Sequence, residues 1–155
     1  MTATPDSRLA ALDITLPVAA APVANYVTTV RTGTLLVVSG QLPRLDGTLL
    51  ITGKLGDAVS VHAGVACARA CLINVLAQAK AALDGDLSRI TRVVRLGGFI
   101  ACTPEFTDQA AVMNGASDLA VEVFGDAGRH ARSTIGVPSL PVNAPVEVEA
   151  LFEIA

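Results

Sequence analysis

The chain has 155 residues, enough for one domain with a real core, since a domain of this size buries roughly two-thirds of its unfolded surface. Hydrophobic residues make up 52% and charged residues only 16%, with a mean hydropathy of +0.56, so part of the apolar surface is expected between subunits. A net charge of −3 and a pI near 5.2 set a field that repels a phosphate backbone, which disfavours nucleic acid as a partner.

The N-terminus, MTATPDSRLAALDIT, is neither basic nor followed by a clean hydrophobic stretch with a small-residue cleavage site, which reads against a secretory leader. Residues 4 to 13 predict a short helix, and 14 to 24 a Pro/Ala-rich approach segment, so 1–24 reads as an extension to a single 1–155 domain. Pro17, Pro22, Asn25, Arg31 and Gln41 interrupt the apolar N-terminal region, and no run reaches the ~18 residues of a membrane span. No membrane partner is expected.

Tyr26 to Arg31 alternates as an edge strand, a turn follows at Thr32-Gly33, and Leu35 to Ser39 is a continuous apolar run typical of a strand buried on both faces. Residues 42 to 47 read as a loop with an Asp-Gly turn signal, and Thr48 to Thr52 as a third strand. Ser60 caps a helix running to about Leu83, with Val61, Val65, Leu72, Leu76, Ala79 and Leu83 on one stripe and Gly85 as the stop. Ile90 to Cys102 is the longest strand, with Gly97-Gly98 marking a bulge or a close backbone approach. A second helix spans about Phe106 to Phe124, where Val112, Ala116, Leu119 and Val123 repeat at helical spacing before Gly125.

The C-terminal region holds the clearest strand. From Pro145, Val146, Val148, Ala150, Phe152 and Ile154 alternate with Glu147, Glu149, Leu151 and Glu153. A short run from Arg132 to Ile135 precedes it, and a proline-containing loop between the two is expected to bring Arg132 near Glu147. The order βββ-α-β-α-ββ implies an α+β fold with two helices on one face of a mixed sheet. Because the central runs are apolar on both faces, the uncovered face predicts a homo-oligomer.

Exclusions narrow the chemistry. The lysines are only Lys54 and Lys80, a poor basis for Schiff-base catalysis, and Ser39 in VVSGQ lacks the glycine two residues earlier that a nucleophile elbow needs. Neither a phosphate-cradling loop nor a dinucleotide fingerprint is present. Cys67, Cys71 and Cys102 lie in apolar surroundings and read as reduced core thiols of a cytoplasmic protein. Although Cys67 and Cys71 are one helical turn apart, His62 and His130 add no ligand spacing, so neither metal nor cofactor is expected. The remaining polar candidates are Arg132, Glu147, Tyr26, Ser39 and Asn114. Arg132 offers a planar fork for a carboxylate, or else a surface ion pair. Glu147 could orient or deprotonate a water, or else belong to a solvated strand face with Glu149 and Glu153.

The segments NYVTTVRTGTLLVVSGQLP, VMNG around Asn114, and ARSTIGVPSLP followed by VEVEA resemble the RidA family, also called YjgF/YER057c/UK114, from Tyr26 onward. The resemblance implies a chorismate-mutase-like α+β fold assembled as a homotrimer, with each site in a cleft between neighbouring subunits. It implies hydrolytic deamination of enamine/imine intermediates of the 2-aminoacrylate type to 2-keto acids and ammonia. Arg132 matches the family's carboxylate-binding arginine and Glu147 its water-positioning glutamate. Tyr26, Ser39 and Asn114 match pocket residues, with backbone contacts around Gly40 and Thr134. The chain departs from the family pattern at His130, Thr134 and Gly136, where proline, cysteine and an acidic residue are usual. The alternatives are a non-catalytic protein holding a small carboxylate in the same cleft, and the ribonuclease or translation-inhibitor role attached to the family. The acidic balance and 3% aromatics argue against the last.

Overall fold

The computed structural model describes residues 3–155. Thr4 caps the first helix, α1 (Pro5–Ala11), in a reciprocal box with Ser7, and Pro5 occupies the first turn, where its missing N–H costs nothing. Strands β1 (Thr29–Thr32) and β2 (Leu35–Gln41) form a hairpin whose turn passes through Gly33 at φ +56°. Tyr26 lies outside the strand, in a bend before it.

The third strand expected at Thr48–Thr52 does not join the main sheet. Instead β3 (Arg44–Leu45) and β4 (Thr48–Leu49) make a separate two-residue hairpin, turned by Asp46 and Gly47, both at positive φ. The Asp-Gly signal was local, and so is the structure it makes.

Ser60 accepts a hydrogen bond from the Ala63 N–H to start α2 (Val61–Ala82), and the chain leaves the helix through Asp84 and Gly85 at positive φ. At 22 residues α2 is long and apolar enough to cross a membrane, yet its apolar stripe packs on β2, β7 and the third helix. Strand β5 (Ile90–Ala101) follows, then α3 (Gln109–Phe124), which begins three residues later than the periodicity suggested and ends at Gly125. Strands β6 (Ala131–Val137) and β7 (Val146–Ile154) complete the chain.

The five-stranded mixed sheet runs β1-β2-β7-β5-β6; β6 pairs parallel with β5, and the other neighbours are antiparallel. One face packs on α2 and α3, where Leu36, Val38, Leu96, Val148, Ala150 and Phe152 are buried. Phe152 meets Phe124 with ring centroids 6.3 Å apart. The opposite face presents Val37, Phe99, Ile135 and Leu151, of which Val37 and Ile135 are 42% and 51% exposed. Gly97 and Gly98 sit in regular ladder, so close approach is their role: a Cβ would strike Glu149 above one and Met113 below the other. The bulges fall elsewhere, between Val38 and Gln41 and in the first turns of β5.

The N-terminal extension wraps the helix layer rather than the open face. Leu9 is buried, Lys80 pairs with Asp6 at 2.6 Å, and buried Gln78 donates to the Ala20 carbonyl at 2.7 Å.

Candidate functional site

Parallel pairing sets the direction of the Arg132 side chain. Its register partner on β5 is Leu96, a core residue on the helix-covered face, so Arg132 projects toward α3. Asn114 and Ser117 lie three residues apart on that helix, hence on one face. Arg132 Nη1 donates to Asn114 Oδ1 at 2.9 Å and to Ser117 Oγ at 3.1 Å, and Nη2 donates to the Ala110 carbonyl at 3.3 Å. Three of five guanidinium donors are therefore engaged, all by neutral acceptors, and two remain, enough for a bidentate carboxylate contact. Among the described residues no carboxylate stands within ion-pair distance of Arg132.

Thr134, two residues along the same strand face, has a buried hydroxyl with no hydrogen-bond partner. A buried hydroxyl without a partner is costly, and a polar ligand beside Arg132 would satisfy it. His130 closes the cluster: its Nε2 is 2.9 Å from Ser117 Oγ and its Nδ1 2.7 Å from the Gly128 carbonyl. Ser117 escaped the sequence reading, where it is an ordinary mid-helix serine; its spacing from Asn114 was the available signal.

A second cluster forms around Glu147. The β2 bulge brings Gly40 against this side chain so closely that a Cβ on Gly40 would overlap its carboxylate. Burial, reinforced by the neighbouring Glu149 charge, pushes the Glu147 carboxyl above its ordinary range. Glu147, Gly40 and Tyr26 line one cleft of about 670 Å³, together with Asn74 and Gln78 of α2 and residues of the extension from Pro17 to Val23. Tyr26 is 48% exposed there. Ser39 has its hydroxyl bonded to the Val27 carbonyl at 2.9 Å, which ties the bend before β1 to β2.

The sequence-based expectation that Arg132 approaches Glu147 within the chain is overturned. β5 runs between β6 and β7, and the register places Glu147 opposite Phe99 on the open face while Arg132 shares the helix face with Leu96 and Ala150. The structure thus groups Arg132, Asn114 and Thr134 in one cluster and Tyr26, Gly40 and Glu147 in another.

Comparison with known proteins agrees with the architecture. Residues 6–154 match the family described as "YjgF/chorismate_mutase-like, putative endoribonuclease". Protein TCP17 of Trypanosoma cruzi is 52% identical over 149 residues, covering 96% of this chain and 92% of TCP17. The crystal structure of protein Atu1372 from Agrobacterium tumefaciens superposes with a TM-score of 0.92 at 50% identity, covering 97% of this chain and 92% of that one. A 2-iminobutanoate/2-iminopropanoate deaminase of Dermatophagoides farinae is 29% identical over 142 residues, 91% of this chain and 94% of its own length.

Proposed function

Because this chain belongs to the YjgF/chorismate mutase-like family and has that family's fold, we propose that it deaminates reactive enamine/imine intermediates to 2-keto acids and ammonia. The observation behind this reading is the Arg132 guanidinium, fixed by three neutral acceptors, without an acidic partner among the described residues, and beside an unsatisfied Thr134 hydroxyl. Such a group receives a small carboxylate. The deaminase similarity names a substrate class with that carboxylate.

The chemistry then needs little machinery. Protonation of an enamino acid at carbon gives the iminium form of the imine, whose C=N carbon is electrophilic. Water adds to that carbon, its proton passing to a base, and the carbinolamine collapses with loss of ammonia and formation of the C=O bond. Glu147 is the base and water holder in this scheme; its raised proton affinity suits the role at neutral pH. Arg132 contributes by holding the substrate carboxylate in register with that water.

Since one chain puts Arg132 and Glu147 on opposite sheet faces, the proposal includes a homotrimer in which each site draws Arg132 from one subunit and Glu147 from the next. The apolar open face with Val37 and Ile135 supports such burial between copies. Net charge −3 speaks against RNA as the substrate, and three free, buried cysteines fit a reducing, cytoplasmic setting.

A second reading has a specific observation behind it: the arginine cluster is complete within one chain, so a protein that only binds small carboxylates would need nothing more. One experiment separates the two. Short-lived imines are generated from several amino acids with an amino-acid oxidase in the presence of semicarbazide, and wild type and Arg132→Ala are compared for diversion to keto acid and ammonia. Wild type should divert them and the variant should not. Keto-acid binding without any diversion would favour the binding protein.

A further inference from the structure

We propose that His130, acting through Ser117, is a positioning residue that fixes the Arg132 guanidinium for carboxylate binding, an inference that rests on the site assignment above. The direction of the hydrogen-bond chain is set at its far end. Gly128 lies in the 3-10 turn Gly125–Gly128 between α3 and β6, and a Cβ there would overlap the Ala120 carbonyl, so the turn is pressed against α3. Its carbonyl can only accept, and therefore His130 Nδ1, at 2.7 Å, carries the hydrogen. In the neutral ring Nε2 is then an acceptor, and Ser117 Oγ–H donates to it across 2.9 Å. That commits the serine hydrogen and turns an oxygen lone pair toward Arg132 Nη1 at 3.1 Å.

Without His130 the serine has another outlet. A mid-helix serine readily donates to the carbonyl four residues earlier, here Met113, which would swing the lone pair away from the guanidinium. Arg132 would keep Asn114 on Nη1 and Ala110 on Nη2, but lose the third point that fixes its plane. The imidazole thus acts on substrate only through the hydroxyl and the guanidinium. It touches no reacting atom.

The test is a double-mutant cycle read by titration with 2-oxobutanoate, alongside kcat and KM on the imine generated from 2-aminobutyrate. Ser117→Ala and His130→Ala should each raise Kd and KM about three- to tenfold, the net scale of one ordinary hydrogen bond, with kcat little changed. Acting in series, they should not add: in the Ser117→Ala background, His130→Ala should have no further effect on Kd. A merely structural role would move the melting temperature and leave the cycle additive, and additive Kd effects, or none, overturn the proposal. Arg132→Ala is the control. If it abolishes binding while the other two variants leave Kd unchanged, only the positioning role fails; if it leaves binding unchanged, or wild type binds no 2-oxobutanoate, the site assignment fails first and takes this inference with it.

Discussion

Arg132 and Glu147 stand on opposite faces of one sheet, and β5 runs between the strands that bear them. In a single subunit the two side chains therefore leave the sheet in opposite directions. The proposed site crosses a subunit boundary, and this can be checked by complementation. Arg132→Ala and Glu147→Gln should each be inactive as pure proteins. Refolded as an equal mixture, they should recover about a quarter of wild-type activity, because about one site in four pairs an intact arginine with an intact glutamate. No recovery from subunits shown to have mixed would overturn a site shared across the subunit boundary.

Glu147 should also leave a mark on stability. Its folded proton affinity exceeds the ordinary one, so the native state holds the proton more tightly than the unfolded chain does. The group's favourable contribution is complete below its ordinary value of 4.5 and is lost as pH rises through the raised folded value. Glu147→Gln removes the half-buried charge and should melt above wild type at pH 7, with the gap closing near pH 4. An equal gap at both pH values would show that charge burial is not the cause.

Gly115 tests the contact between the two long helices. A Cβ there would overlap the Val65 carbonyl oxygen on α2, and neither backbone can move without parting the helices. Alanine is worth about 1 kcal/mol more than glycine in a helix interior, so a net loss isolates the clash. Gly115→Ala should destabilise by about 1–3 kcal/mol and lower the melting temperature by several degrees. A rise would mean that α2 and α3 have room between them at this crossing.

The thiols should be silent in the folded protein. Burial raises Cys67 to about 11, and Cys71, fully enclosed with Cys67 beside it, is shifted well above the ordinary thiol range. A disulfide-exchange reagent at pH 8 should label neither until denaturant is added. Rapid labelling of either in native protein would indicate local opening of α2.

How far the residues themselves announced this arrangement depends on the kind of signal. The cap at Ser60, the stop at Gly85 and the alternation of β7 are local, and each appears where the pattern put it. Strand order is not local. Alternation says which face a side chain occupies but not which strand lies beside it, so the proline loop between β6 and β7 suggested neighbours where β5 intervenes. Thr48–Thr52 failed for a related reason: β-propensity without a partner long enough to pair with yields a two-residue hairpin. At the site, Arg132 and Asn114 were legible from the family motifs, and the structure joins them. Ser117 was not, because a serine's meaning inside a helix depends on what stands across from it.

α1 grips the end of α3, where Arg8 reaches the Glu122 carbonyl beside Gly125, while its Leu9 is buried in the core. Two turns earlier the same helix presents Ser117 and Asn114 to Arg132. A rigid rod clamped at one end is steadier along its length, so α1 acts as a brace for the helix that carries the partners of the guanidinium.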